Sequence, residues 1–290
     1  MITVNNLSVK TLKGRLLVDH LSFSLNENDK TAVIGEEGNG KSTLMKILAG
    51  IDVSDYVTYT GTIQTEGKIG YLSQKTEEEW NGCTVFEYLV KKNPGDCLQP
   101  EDYNTYKDLY GLFVEVNGNP LLLEEDRIMK TLSGGEKVKV RFIKLLLQRP
   151  SVFLLDEPTN DLDLQTLIWL EEFINSRSEP ILFISHDETL LENCSDSIIH
   201  LEQLKDKQQP KCTVSGSGYK EYSENRLHTI DRTNMLAAKQ RAELDKQLER
   251  FRQIYQKVEH RQRTNTRQDP HTGKLLKKKM HALKGQQRIL

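Results

Sequence analysis

Apolar and polar positions alternate over the first 25 residues. Ile2, Val4 and Leu7 lead in, and Leu16-Leu17-Val18 and Leu21-Ser22-Phe23-Ser24-Leu25 follow, which predicts half-buried strands. Lys30–Ile34 is a short β-rich run that ends at Gly35, and Ser151–Leu155 and Ile181–Ser185 are continuous apolar runs, the pattern of parallel strands covered on both faces. Helical spacing appears at Ser42–Leu48, closed by Ala49-Gly50, and again at Gly134–Gln148 and Leu164–Ser176. Lys68–Leu72 reads as a further strand, and Ser197–Leu201 as an edge strand. Between them, residues 76–131 are rich in acidic residues, Tyr and Leu. They are broken at Asn93-Pro94-Gly95 and Asn117-Gly118-Asn119-Pro120, which predicts a small helical subdomain. The alternation of strands and helices predicts an α/β fold.

The pattern changes near Tyr222. Ala, Gln, Glu, Lys and Arg dominate through His260, with Leu236, Leu244, Leu248, Phe251, Ile254, Tyr255 and Val258 near helical spacing. Thr264–Gly273 reads as a turn, and Lys274 onward as a second helix returning. We therefore expect a body at residues 1–220, with its helical subdomain at about 76–148, and a helical hairpin at 221–290. The sequence stops at Leu290 inside that second helix. Such an end is expected of a piece of a longer chain or of a half-molecule that pairs with itself.

Charge sharpens this division. The formal net charge of −2 conceals 17 Lys+Arg against six Asp+Glu from Arg226 to Leu290, and 23 against 36 before it. A basic arm on an acidic body suits a polyanionic partner. No apolar run approaches the roughly 20 residues of a membrane-spanning helix, and Met1–Asn6 lacks the layout of a secretion signal. A cytoplasmic protein is expected. Cys83, Cys97, Cys194 and Cys212 show no metal-ligand spacing and are expected to be reduced thiols.

The candidate chemistry begins at Gly35-Glu36-Glu37-Gly38-Asn39-Gly40-Lys41-Ser42-Thr43. It has the P-loop spacing G-x-x-x-x-G-K-[ST] and lies between a strand and a helix. Glycines let successive N–H groups converge on one phosphate, and the helix N-terminus adds its positive dipole end. Lys41 would reach the β- and γ-phosphates, and the Ser42 hydroxyl would hold Mg²⁺. The run Val152-Phe153-Leu154-Leu155-Asp156-Glu157 delivers two carboxylates to a strand end. Asp156 would hold Mg²⁺, and Glu157 would orient and polarise the attacking water.

With these residues in place, the chain resembles the ABC ATPases over about residues 1–205. Leu132-Ser133-Gly134-Gly135-Glu136 is similar to the family signature, Gln74 to the Q-loop, Asp161-Leu162-Asp163 to the D-loop and His186 to the switch histidine. The resemblance implies a P-loop fold of ABC type, with a mixed sheet, an antiparallel β subdomain and a small helical subdomain. It also implies that ATP lies between two cassettes. Ser133, Gly134, Gly135 and Glu136 of one cassette would close on the γ-phosphate held by the other. Gln74 would join Ser42 and Asp156 at the metal, and His186 would contact the γ-phosphate.

Glu at position 136, Pro158-Thr159-Asn160-Asp161-Leu162-Asp163 and the basic hairpin resemble the ABC-F branch. The resemblance implies a hairpin that contacts tRNA and ribosomal RNA, with Arg261, Arg263, Arg267, Lys274, Lys277, Lys278 and Lys279 as candidate contacts. It implies a translation factor or, given only 57 residues between Gln74 and Leu132, a ribosome-protecting resistance protein. The alternative is the nucleotide-binding subunit of an ABC transporter whose membrane part is a separate chain. Two positions depart from the family pattern. Glu37 sets a carboxylate in the phosphate loop, and Leu12-Lys13 stand where an aromatic often stacks on adenine, which predicts weak discrimination between ATP and GTP.

Overall fold

The computed structural model describes residues 1–74, 78–124, 126–160, 162–204 and 209–264. In chain order its elements are β1 (Ile2–Thr11), β2 (Leu16–Leu25), β3 (Lys30–Ile34), α1 (Lys41–Leu48), β4 (Val57–Thr65) and β5 (Ile69–Leu72). Then come α2 (Val85–Val90), α3 (Tyr106–Glu115), α4 (Leu121–Glu124), α5 (Gly134–Leu147), β6 (Val152–Asp156) and α6 (Leu164–Ser176). The last are β7 (Ile181–Ile184), α7 (Glu188–Cys194), β8 (Ser197–Leu204), β9 (Gln209–Ser215) and α8 (Tyr219–Thr264).

The strands form two sheets. One is antiparallel, in the order β2-β1-β4; the other is mixed, in the order β5-β6-β7-β3-β8-β9, with only β9 antiparallel to its neighbour. The continuous apolar runs do line the middle of the mixed sheet. Along β6 and β7, Val152, Leu154, Leu182 and Ile184 pack into one core with β1, β2 and α1. Phe153, Leu155, Ile181 and Phe183 pack into the other, with α2, α5 and α6. Alternate side chains of one strand thus bury on opposite faces, which is why these runs show no polar interruption.

Three departures from the sequence reading have physical causes. β8 is not an edge strand, because β9 returns along it and takes the edge. Pro210 in β9 pairs with Gln203 at that edge, where a missing N–H is tolerated. β4 has no apolar alternation, since only Val57 is buried and most of its other residues are exposed. It is held by its ladder to β1. The short α7 is nucleated by Asp187, whose carboxylate accepts from the backbone N–H groups of Thr189 and Leu190.

Among the described residues, the elements between β5 and β6 are all helices. Thr84 caps α2 through a reciprocal pair of bonds with Glu87. The chain divides into two compact units, Met1–Ser223 and Glu224–Leu290. In the first, Tyr219 and Tyr222 pack on the helical-side core, and the Tyr219 N–H donates to Ser195 Oγ at 3.1 Å. In the second, residues 224–264 are helix, with Leu227, Met235 and Leu236 exposed. The expected turn past Thr264 and the returning helix lie outside the described residues. All four cysteines are free, and among the described residues no helix is long and apolar enough to cross a membrane.

Candidate functional site

Three neighbouring strands of the mixed sheet, β6, β7 and β3, carry the candidate chemistry at their C-terminal ends, where open α/β sheets bind ligands. β3 runs into the glycine loop and α1. Gly35 has φ +146°, and a Cβ there would lie 2.2 Å from the Leu201 carbonyl oxygen, so only glycine fits. Asn39 secures the same spot. It is 2% exposed, and its Nδ2 donates to that carbonyl at 3.0 Å. Its side chain therefore anchors the loop to β8 and is not turned to a nucleotide. Glu36, Glu37 and Gly38 are exposed, so water screens the two carboxylates.

Lys41 Nζ donates to the carbonyls of Gly35 at 2.6 Å and Glu36 at 3.2 Å. Burial pushes its pKa down, while Glu157, Glu37 and Asp156 oppose that shift. An ammonium so placed stands at the loop, available to an anion seated on the loop's N–H groups. Thr43 lies in the first turn of α1, partly buried.

Ser42 and Asp156 meet, with Ser42 Oγ donating to Asp156 Oδ1 at 3.0 Å. Tyr71, at the end of β5, donates its hydroxyl to Asp156 Oδ2 at 3.0 Å. Asp156 is 2% exposed. Desolvation pushes its carboxyl above the usual range, and the two hydroxyls pull it back. A buried carboxylate beside a hydroxyl fits a hard divalent cation, which takes oxygen ligands and offsets that desolvation. Ser42 and Asp156 would hold it. Gln74 turns its Nε2 to Glu157, so a metal contact from it requires its Oε1.

Glu157 is the convergence point. Its backbone is left-handed, with φ +49°, and its N–H donates to Ile184 O of β7 at 3.0 Å. A non-glycine residue in that region is strained and is held by its surroundings. Gln74 Nε2 donates to Glu157 Oε2 at 2.6 Å, and Asn160 Nδ2 to the same oxygen at 3.0 Å. His186, after β7, places Nε2 at 3.5 Å from Oε1. Side chains that follow β5, β6 and β7 thus aim one carboxylate, as a group that must orient a water requires.

The signature residues stand apart from this cluster. Ser133 caps α5: its Oγ accepts from Glu136 N at 3.3 Å, while Glu136 Oε2 accepts from Ser133 N at 2.9 Å and from Ser133 Oγ at 2.9 Å. The side chain of Glu136 is spent on this capping box. The S-x-x-E spacing within Leu132–Glu136 carries that signal. Gly134 and Gly135 begin α5, and a Cβ on Gly135 would lie 2.5 Å from Thr166 Oγ1. Thr166 belongs to the first turn of α6, which Asp163 caps at 2.8 Å. A cavity of about 200 Å³ beside them is lined by residues including Phe113, Glu136, Lys139 and Asp163.

Other predicted positions fall elsewhere. Asp161 lies outside the described residues. Leu12 is 61% exposed and Lys13 is exposed. Arg261 and Arg263 belong to α8, but their side chains are outside the described set, as are Arg267, Lys274, Lys277, Lys278 and Lys279 entirely. Sequence reasoning missed Tyr71 and the part played by Asn160. It also missed Arg15, whose Nη2 donates to Gly38 O at 3.3 Å. Tyr71 and Arg15 belong to no spacing rule that names them, and the Pro158–Asp163 run that contains Asn160 marked a family branch and not this contact.

Known proteins agree with this geometry. The family described as ABC transporter matches residues 18–160. The ATP-binding protein Uup of Buchnera aphidicola is 30% identical over 71% of this chain and 33% of its own length. The mouse ATP-binding cassette sub-family F member 3 is 34% identical over 60% and 23%. The ribosome protection protein VmlR of Bacillus subtilis is 29% identical over 65% and 32%. The chain thus spans about a third of such relatives or less. A dimeric post-hydrolysis cassette solved with ADP and phosphate shares the fold, with a TM-score of 0.54, 19% identity, and coverage of 76% of this chain and 100% of that one. On the strength of these likenesses and of the P-loop, the strand-end carboxylates and the signature helix, this chain carries an ABC ATPase cassette, similar to those of ABC-F type proteins.

Proposed function

We propose that residues 1–220 bind and hydrolyse Mg·ATP once a second cassette completes the site, and that residues 221–290 are a basic linker serving that cassette on the ribosome. The observation that carries the hydrolytic reading is the three-way grip of Gln74, Asn160 and His186 on the Glu157 carboxylate, beside the Ser42–Asp156 pair. The glycine loop and Lys41 bind the phosphates. Ser42 and Asp156 hold the metal ion, which would supply charge neutralisation at the phosphates. Glu157 orients water and accepts its proton, with Gln74, Asn160 and His186 fixing its direction. Ser133, Gly134 and Gly135 face another cassette's nucleotide, since their own site is already built from other strands.

The ribosomal part draws support from the ribosome protection protein VmlR among the relatives and from the +11 segment after Arg226. Such a segment neutralises phosphates and releases counterions, so its binding falls with salt. The resistance branch rests on that same relative, and the cytoplasmic location follows from the ribosomal role. A transporter role would require a separate membrane chain. Glu136 and the sub-family F relative weigh toward the ribosome. The test is co-sedimentation of the Glu157→Gln protein with ribosomes and Mg·ATP at low and high salt. The proposal expects ATP-dependent, salt-sensitive pelleting. Binding that ignores ATP, or co-purification with a membrane permease in its place, overturns it.

A further inference from the structure

Arg141 lies in the middle of α5, 9% exposed, on a helix otherwise buried through Val138, Val140, Phe142 and Ile143. An arginine in an apolar setting persists only where its donors are matched. Its guanidinium donates through Nη2 to the carbonyl of Ser73 and reaches Ser73 Oγ at 3.3 Å. Burial pushes its pKa down, and Tyr88 of α2 opposes this by charge and by a hydrogen bond. The neighbouring turn of α5 reinforces the same joint. Lys144 Nζ sits 3.8 Å from the centre of the Trp80 ring and 4.1 Å from that of Tyr88, and those two rings meet edge-on at 5.2 Å.

Ser73 is the residue directly after β5, and the next is Gln74, whose amide holds Glu157 Oε2 at 2.6 Å. Gln74 is therefore tethered on both sides of its peptide: by β5 and the Arg141 clamp before it, and by its own side chain on Glu157. Ser73 lies directly past the end of β5, where its carbonyl accepts from Arg141. Resting on the ATPase reading above, we propose that Arg141 is a positioning residue, which fixes the chain at Ser73 so that Gln74 points its amide at Glu157. Arg141 bonds to Ser73, the residue before Gln74. It acts through Ser73, from a helix that Ser133 caps, and so ties the aim of Glu157 to the same rigid element as the signature.

The test compares the wild-type chain with Arg141→Met, which keeps an apolar stem, and Arg141→Lys, which keeps a donor. Hydrogen exchange would be followed in peptides covering Ile69–Gln74 and, as a reference, α1. Affinity for a fluorescent ATP analogue and steady-state ATP turnover would be measured on the same preparations. The proposal expects about tenfold faster exchange confined to Ile69–Gln74 in Arg141→Met. It expects unchanged nucleotide affinity and KM, and kcat down about ten- to hundredfold, the scale of a misplaced reacting group. Arg141→Lys should recover part of both effects. Unchanged exchange at Ser73–Gln74, faster exchange everywhere, or loss of affinity in step with turnover overturns the proposal. If Arg141→Met does not fold, the Arg141→Lys exchange pattern decides alone. A wild-type chain that binds no nucleotide overturns the ATPase reading itself, and the exchange arm still decides whether Arg141 positions the loop.

Discussion

Replacing Gly35 and Gly38 by alanine, one at a time, separates two costs that the phosphate loop combines. At Gly38, φ is +76° and a Cβ meets nothing within 4 Å, so Gly38→Ala carries backbone strain alone. That costs about 1 kcal/mol. At Gly35, φ is +146°, and the Cβ would stand 2.2 Å from Leu201 O and 3.2 Å from Leu201 C, both main-chain atoms that cannot rotate away. The loop must lift from β8, which also breaks the Asn39–Leu201 bond. Strain of up to about 3 kcal/mol and a lost buried hydrogen bond of about 1 kcal/mol put Gly35→Ala near 3–4 kcal/mol. For a unit of this size, that lowers Tm by about 6–15 °C, against about 2–4 °C for Gly38→Ala. Urea and thermal denaturation of the two variants would measure the difference, and titration with fluorescent ATP would show whether the cradle survives. Equal destabilisation of the two, or a Gly35→Ala cost below about 1 kcal/mol, refutes the view that the β8 carbonyl shapes this loop.

Three further outcomes are expected in other parts of the molecule. Ser133→Ala removes the cap of α5 and should cost about 1 kcal/mol in urea denaturation; no loss would mean that the Ser133–Glu136 box does not stabilise the helix. The Cys194 thiol, pushed up to about 12 chiefly by burial, carries almost no thiolate at pH 8. A thiol reagent should therefore label exposed Cys97 quickly and Cys194 only on unfolding; comparable native labelling of both contradicts the burial of α7. With Leu12 and Lys13 exposed where an aromatic would stack, GTP should compete with fluorescent ATP within a few-fold. A strong ATP preference would show that the base is read by other residues.

Much of the site was legible because its motifs coincide with strand ends. Gly35–Thr43 and Asp156-Glu157 each come at the close of an apolar run, and parallel strands bring their C-terminal residues to one edge. The sheet order was not legible. β3 lies between β7 and β8, and no local pattern announces which strand pairs with which. The same limit hid β4 and β9, whose stability comes from ladders and not from apolar alternation. Within the site, the positions read from motifs came out with different contacts. Asn39 and Glu136 sit inside the phosphate-loop and signature motifs, yet one anchors the loop to β8 and the other completes a helix cap. Tyr71, Arg15 and Arg141 reach their partners across 85, 23 and 68 residues of sequence, so only the folded chain reveals them.

The central claim is that Glu157, aimed by Gln74, Asn160 and His186, drives hydrolysis of a nucleotide held at Gly35–Thr43. The most direct measurement tracks bound nucleotide and released phosphate together, in wild-type and Glu157→Gln protein each paired with a second cassette and supplied with Mg·ATP. The account predicts that the variant retains bound ATP unhydrolysed while the wild type releases ADP and phosphate. Turnover in Glu157→Gln at the wild-type rate would contradict it.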